Sequence, residues 1–158
     1  MKLYHASPIK NLKLIKPQRT ISHNKYTGDF VFATKYKKLA LMYMLPKGFP
    51  ILMNAKLKNP YIVICANVEE ILQSDKGGAL YILPDNLFHQ TPQKGLNEYE
   101  MVSKDPVTPL FEEDYDCVID QLIKENITIY FVDNDIFNKL LLNPKQDTMV
   151  QALDKYLP

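Results

Sequence analysis

The sequence predicts a mixed α+β fold made of many short strands and several helices. The β-rich segments are many and short, and several follow one another without a long helix between them, which favours this fold over a doubly wound parallel sheet. A chain of 158 residues with 46% hydrophobic and 23% charged residues can bury a substantial core. We therefore expect a single domain spanning residues 1–158.

In the first half of the chain, β-branched and aromatic segments alternate with one segment of helical periodicity. That segment, KYKKLALMYML, places Tyr36, Ala40 and Tyr43 on one helix face, and Pro46 limits its end. The predicted order is a strand at 2–6, an irregular loop at 20–28, a strand at 29–34, the helix at 35–45, and strands at 51–57 and 61–66.

The second half repeats this alternation with shorter helices. Asn67 is placed to cap the helical segment NVEEILQS, and the acidic run EED is expected to open a helix that ends near Asn126. The predicted order is a helix at 67–74, strands at 78–84 and 98–103, a helix within 109–126, a strand at 127–133, and helices at 134–142 and 147–157.

Composition and charge favour no specialised class of partner. The formal net charge is +1, so nothing overall points to nucleic acid or an acidic membrane. A local basic run is expected to be solvated surface: Lys10, Lys13, Lys16 and Arg19. Neither a signal-like apolar region nor a run of about 18 apolar residues is present in the sequence, so a cytoplasmic location is expected.

The cysteines and histidines have no metal-ligand spacing, so no metal site is predicted. Cys65 and Cys117 stand in apolar surroundings and are expected to be buried thiols in a reducing compartment. Likewise, no phosphate-binding glycine loop or dinucleotide fingerprint is present, which argues against hydride transfer.

Two glutamates stand two positions apart in the segment NEYEMV. If residues 98–103 form a strand, Glu98 and Glu100 share one face and their like charges repel. Such a pair usually belongs to an exposed strand face. A lone histidine in a strand, such as His5, is usually structural, and so is a tyrosine on an apolar helix face, such as Tyr43.

Taken together, however, three segments resemble a known family. The first segment, LYHAS, contains an aromatic residue, His5, a small residue and Ser7. The second, GDFVFATKYKKLALMY, is a glycine-led strand that ends in Phe32 and a small residue and is followed by a helix with Ala and Tyr. The third, NEYEMV, opens a strand with glutamate. The ordered set resembles the three motifs of the ADP-ribosyltransferase superfamily, especially the His-Tyr-Glu branch of poly(ADP-ribose) polymerases and diphtheria toxin.

The resemblance implies an ADP-ribosyltransferase-like fold, with short, mainly antiparallel strands in two packed sheets and flanking helices, and a site for NAD as co-substrate. It assigns His5 to a ribose hydroxyl of the adenosine half, the Ala6 backbone and Ser7 to the nicotinamide amide, and aromatic faces to the nicotinamide ring. The implied aromatic residues are Tyr43, with Tyr36 as second choice because Tyr43 is one residue out of step with the polymerase spacing, and Phe32 from the second motif. Ala6 stands where the family usually has glycine, and alanine keeps the backbone contact if its φ is negative.

The catalytic carboxylate is expected to be Glu98 or Glu100. The NEY context resembles the polymerase motif and favours Glu98, whereas the spacing in EYE resembles the Glu-x-Glu pair of the arginine-modifying branch, in which the second glutamate stabilises the ribose cation and the first engages the acceptor. A fixed carboxylate suits the chemistry, because cleavage between nicotinamide and ribose develops positive charge on the sugar.

The implied function is transfer of ADP-ribose to an unidentified protein, nucleic-acid or small-molecule acceptor, or hydrolysis of NAD when water accepts. Two alternatives stay open: a catalytically inactive binding module of the same fold, and a non-enzymatic α+β scaffold protein. A related RNA phosphotransferase would need several converging basic residues, and the sequence offers no such set.

Overall fold

The computed structural model of the chain describes residues 1–22, 25–55, 58–90 and 99–158. Its contacts divide the chain into two compact units, each assembled from two separate stretches of sequence. Unit 1 comprises Met1–Met44 and Gly77–Asp116, and unit 2 comprises Leu45–Lys76 and Cys117–Pro158.

The described residues form nine strands and five helices. In chain order these are β1 Leu3–Ser7, β2 Gln18–Ser22, β3 Lys25–Thr34, α1 Lys37–Met42, β4 Ile51–Asn54, β5 Tyr61–Cys65, α2 Val68–Ser74, β6 Gly78–Leu83, β7 Glu100–Ser103, β8 Phe111–Tyr115, α3 Val118–Lys124, β9 Thr128–Val132, α4 Asn134–Leu142 and α5 Gln146–Val150.

Unit 1 is built on a six-stranded antiparallel sheet. Its order is β2-β3-β1-β6-β8, and β7 also pairs with β3. Gly77, at φ +70, permits the close approach of β8, because a Cβ there would meet the carbonyl oxygen of Tyr115. One face of the sheet buries an apolar cluster that includes Leu3, Val31, Ala33, Tyr81 and Leu83.

Helix α1 contributes to the core of unit 1 and contacts β1 and β3. It buries the four consecutive residues Leu39–Met42, so its core contribution covers more than one stripe of the helix surface. A salt bridge of 3.0 Å between Lys37 Nζ and Glu113 Oε2 also joins the start of α1 to β8.

Unit 2 contains a three-stranded sheet with order β4-β5-β9, in which β4–β5 is antiparallel and β5–β9 parallel. The central strand carries the continuous apolar run typical of a strand that is covered on both faces, and Ile62, Val63 and Ile64 are fully buried. Asn67 caps α2 in a capping box with Glu70, as the sequence predicted for Asn67.

The prediction of a mixed α+β fold with two sheets of mainly antiparallel strands and flanking helices is confirmed at that level. The predicted strands at 2–6, 29–34, 61–66, 78–84 and 127–133 and the predicted helices at 67–74 and 134–142 each match an observed element. Other elements are shorter than expected: β4 ends at Asn54, α5 ends at Val150, and the described part of the strand predicted at 98–103 begins at Glu100.

The irregular loop predicted at 20–28 is wrong for residues 20–22 and 25–28, and residues 23–24 lie outside the described residues. Residues on either side of the undescribed pair 23–24 form the end of β2 and the beginning of β3, with Ser22 opposite Lys25 and Thr20 opposite Gly28. A register shift between Thr20 and Ile21 accommodates the hairpin. Backbone pairing between two strands outweighed the turn-forming residues that suggested a loop.

The helix expected to open in the acidic run is also wrong at its start, because that run forms β8 and α3 begins only at Val118. As the last strand in the sheet order, β8 can carry charge that a central strand could not. Its acidic side chains find partners in unit 1, among them the Asn11 N–H for Glu112 and Lys37 for Glu113.

Among the described residues, no helix has both the length and the apolar character needed to cross a membrane.

Candidate functional site

Three strands of unit 1 meet at one end of its sheet. Thr34 is the last residue of β3 and stands opposite Glu100, the first residue of β7, and also opposite Tyr4 of β1. Because directly paired residues in neighbouring strands point to the same side of a sheet, Tyr4, Thr34 and Glu100 share one face. This row fixes Glu100 next to β3.

Tyr43 approaches Glu100 from the end of helix α1. Its hydroxyl donates a hydrogen bond of 3.0 Å to Glu100 Oε1. Tyr43 is 49% exposed and Glu100 is half-buried, so the contact remains accessible to solvent. Two predicted site residues that are separated by 57 positions in the sequence are therefore in direct contact.

His5 lies in β1 and reaches sideways to β3. Its Nδ1 is 2.7 Å from the carbonyl oxygen of Phe32, which can only accept, so Nδ1 carries the proton. Burial lowers the pKa of His5 from its ordinary value, although the Phe32 hydrogen bond opposes that effect. The favoured form is thus a neutral ring whose Nε2 holds a lone pair.

We call the boundary between β1 and β3 the seam, and His5 lies on it. Tyr4 with Thr34 is the single pairing between these two strands in the part of the chain that the structure describes, and from His5 onward β1 keeps its register with β6. His5 stands opposite Tyr81, with ring centroids 6.4 Å apart, so its Cβ starts on the opposite face from Glu100. A ligand that touches both residues must therefore reach both faces of the sheet at this end.

The remaining predicted residues of β1 and β3 are placed as follows. Ala6 pairs with Leu80 inside the sheet. Ser7 is only 7% exposed, and its hydroxyl oxygen accepts from the Ile9 N–H at 3.1 Å. Phe32 contributes its carbonyl oxygen to His5, and its ring packs edge-on against Phe30 at a centroid distance of 6.1 Å.

Tyr36 and Tyr43 do not share a helix face, which corrects the sequence prediction. Helix α1 has only six residues, and these tyrosines flank it, with Tyr36 in an extended conformation before its first residue. The Tyr36 ring instead packs edge-on against Tyr99 at 5.4 Å. Among the described residues, Tyr43 is in direct contact with a predicted catalytic residue, Glu100. Glu98 lies outside the described residues.

A groove of about 390 Å³ lies beside this end of the sheet, lined by Met1, Lys35, Gln90, Tyr99 and Met101. No sequence motif marks these residues as a site. Lys35 and Tyr99 each adjoin a predicted motif residue in sequence, but neither has a spacing pattern that would have separated it from ordinary surface.

Among the described residues, no group of three or more His, Cys, Asp and Glu side chains is arranged to hold a metal ion. Comparison of the chain with protein-family models, with curated proteins and with solved structures finds no match.

Proposed function

We propose that the chain is an NAD-consuming ADP-ribosyltransferase with an ADP-ribosyltransferase-like fold. The observation that carries the proposal is the hydrogen bond from the Tyr43 hydroxyl to Glu100 Oε1. It joins the tyrosine of the second motif to a glutamate of the third, and the seam at which His5 of the first motif lies is formed by β3, the strand that pairs with β7. The sequence resemblance supports the same three roles.

Glu100 is the proposed catalytic carboxylate. The Tyr43 bond occupies one of its oxygens and restrains the orientation of the group, while a carboxylate has about four acceptor positions in all. In the proposal the Glu100 carboxylate accepts from a ribose hydroxyl and stabilises the positive charge that develops on the sugar. A preoriented carboxylate stabilises that charge better than a mobile one, because no reorganisation is needed during the reaction.

His5 is proposed to accept a hydrogen bond from a ribose hydroxyl of NAD. With Nδ1–H directed at the Phe32 carbonyl, the neutral ring presents Nε2 as an acceptor. The lowered pKa of His5 keeps the ring neutral, and the acceptor available, to a lower pH than in an ordinary histidine. The role is one of binding and orientation rather than proton transfer.

The reaction balances without a redox partner. The bond between the ribose carbon and the nicotinamide nitrogen breaks, and its electron pair leaves with neutral nicotinamide. A lone pair from the acceptor, or from water, forms the new bond to that carbon, and the acceptor proton is released to solvent. Tyr43 is exposed and Glu100 is only half-buried, so an acceptor can approach the reacting carbon from solvent.

A second candidate is an inactive nucleotide-binding module of the same fold. The observation in its favour is Ser7, whose hydroxyl is buried and already bonded to the Ile9 N–H, leaving it poorly placed for the nicotinamide amide. Such a module would bind NAD along the seam without releasing nicotinamide.

Nicotinamide release from NAD by the wild type and by Glu100→Gln, Glu98→Gln and Glu69→Gln tests the proposal. We expect Glu100→Gln to lower the rate by about 100-fold or more, because glutamine keeps the shape but removes the charge. Glu69 is an exposed glutamate of unit 2, so its variant is the matched control.

Circular dichroism checks that each variant stays folded. A 100-fold loss in Glu98→Gln instead would move the catalytic role to the other glutamate. Wild-type protein that binds NAD in calorimetry but releases no nicotinamide would favour the inactive module. If NAD does not bind at all, both candidates are wrong.

A further inference from the structure

The groove lined by Met1, Lys35, Gln90, Tyr99 and Met101 lies apart from the proposed catalytic contact. Met101 pairs with Ala33 and packs against the buried cluster of unit 1, so its side chain is on the face of β7 opposite to that of Glu100. Gln90 follows His89, whose backbone pairs with Val102 and borders the outer edge of the same strand. The residues that line the groove are therefore different from the two residues of the proposed catalytic contact.

The chemistry of these walls combines a cation, aromatic rings and polarisable apolar groups. Lys35 Nζ lies 5.2 Å from the centroid of the Tyr36 ring, and that ring packs edge-on against Tyr99 at 5.4 Å. The ammonium group offers charge to an anion, and the methionines adapt to a flat ring. The amide of Gln90 can both donate and accept.

We propose that this groove binds a nucleotide, with the base against Tyr99 and Met101 and a phosphate at Lys35. The groove volume of about 390 Å³ falls in the range of roughly 300–1,000 Å³ typical of small-molecule sites. An acidic peptide would require several cations, whereas Lys35 is the one charged side chain among the lining residues that the structure describes. A purely apolar ligand would leave the lysine unused.

Both a free nucleotide and the terminal nucleotide of a single strand have this chemistry. Calorimetric titration with AMP, adenosine, inorganic phosphate and a six-residue oligoadenylate separates the two sources. AMP must bind more tightly than either of its halves. An oligoadenylate that binds more tightly than AMP identifies a strand end, and the reverse order identifies a free nucleotide.

Lys35→Gln is expected to weaken AMP binding by about 10-fold or more, which is the scale of one lost charge-assisted hydrogen bond. Lys104→Gln is the matched control: it makes the same change at an exposed lysine that follows the far end of β7 and does not line the groove. Tyr99→Leu is expected to weaken binding by a similar factor, while Tyr99→Phe keeps the ring and retains most of the affinity.

This proposal stands or falls separately from the proposed catalysis. Glu100→Gln should bind AMP as the wild type does, because AMP lacks the ribose from which nicotinamide leaves. Binding that depends on His5 but not on Lys35 would place AMP on the seam and overturn the groove proposal. Equal affinities of Lys35→Gln and Lys104→Gln, or no binding of AMP and oligoadenylate by the wild type, would overturn it as well.

Discussion

The two units of this protein contain the same chemical contact in different surroundings. In unit 1 the Tyr43 hydroxyl donates to Glu100 at 3.0 Å, and in unit 2 the Tyr61 hydroxyl donates to Asp147 Oδ1 at 2.7 Å. Tyr61 is 9% exposed whereas Tyr43 is 49% exposed. A phenol bonded to a carboxylate has no function of its own, so its surroundings decide what it does.

In unit 2 the contact is structural. Asp147 Oδ1 also accepts from Asn54 Nδ2 at 3.0 Å, so one carboxylate joins α5 to both β4 and β5. Burial, followed by the bond to Asp147, raises the pKa of Tyr61 to about 12. A polar network of this kind holds the helix on the sheet and offers a ligand little access.

In unit 1 the contact contributes little to stability, because exposed polar pairs are typically worth well under about 1 kcal/mol. What it does contribute is orientation of a carboxylate at the end of three strands. The comparison teaches that exposure separates a candidate catalytic pair from a structural pair when both consist of a phenol and a carboxylate. Single substitutions can test that distinction in both units.

The largest effect on folding is expected from Tyr61→Phe. Removing the hydroxyl leaves a partly buried carboxylate short of one donor, which should lower the free energy of unfolding by about 1–3 kcal/mol. Urea denaturation measures the change, and nicotinamide release per folded molecule should equal that of the wild type. A loss of nicotinamide release in the folded variant would contradict the structural role.

Tyr43→Phe is expected to show the opposite pattern. The free energy of unfolding should change by less than about 0.5 kcal/mol, because the lost bond is exposed. Nicotinamide release should fall by roughly 10-fold, equivalent to about 1.4 kcal/mol, because Glu100 loses its orienting donor. If Tyr43→Phe retains full activity but Tyr43→Ala does not, the ring and not the hydroxyl is what matters.

These contrasts also show what the sequence could predict. The mixed α+β class followed from short β-branched segments, and strands such as YIVIC in β5 were assigned correctly because a buried run of that kind admits few alternatives. The ordered motifs predict a site shared by Tyr43 and a glutamate of NEYEMV and favour Glu98, which lies outside the described residues; the described contact is from Tyr43 to Glu100.

Other features depend on long-range pairing that local patterns do not encode. The acidic run FEEDY has helical composition in part, yet it forms a strand that pairs with β6. Similarly, nothing local to Lys35 or Tyr99 indicates that they line one groove, because that depends on β3 and β7 being neighbours. Tyr61 and Asp147 are 86 positions apart and their contact was likewise invisible in the sequence.

His5→Asn isolates the proposed acceptor nitrogen. The asparagine amide can still donate to the Phe32 carbonyl, but it offers nothing at the position of Nε2. We expect NAD affinity to fall by the equivalent of about 0.5–1.5 kcal/mol with a nearly unchanged melting temperature. A large drop in melting temperature with unaltered NAD affinity would instead make His5 a core residue.

In the same variant, the free energy of unfolding should depend less on pH in the acid range. The unfolded chain takes up a proton at His5 near its ordinary pKa of 6.5, whereas the folded chain does so only at lower pH because burial lowers the pKa. Below about pH 6.5 the unfolded state therefore binds more protons, and stability falls as the pH falls. Asparagine does not titrate, so unfolding free energies of His5→Asn should vary less over this window.

The smallest expected effect is on the titration of buried tyrosines at alkaline pH, which allows the two units to be compared. Tyr115 in unit 1 resembles Tyr61, since burial and then a bond to Glu113 raise its pKa to about 12. An unfolded tyrosine titrates near pH 10, so the stability from both raised pKa values is complete below about pH 10 and is lost as the pH rises toward 12. Absorbance at the phenolate band should show Tyr61→Phe and Tyr115→Phe each removing one late-titrating group. If either variant leaves the late part of the titration unchanged, that tyrosine is not held by its carboxylate, and the contrast with Tyr43 loses its basis in that unit.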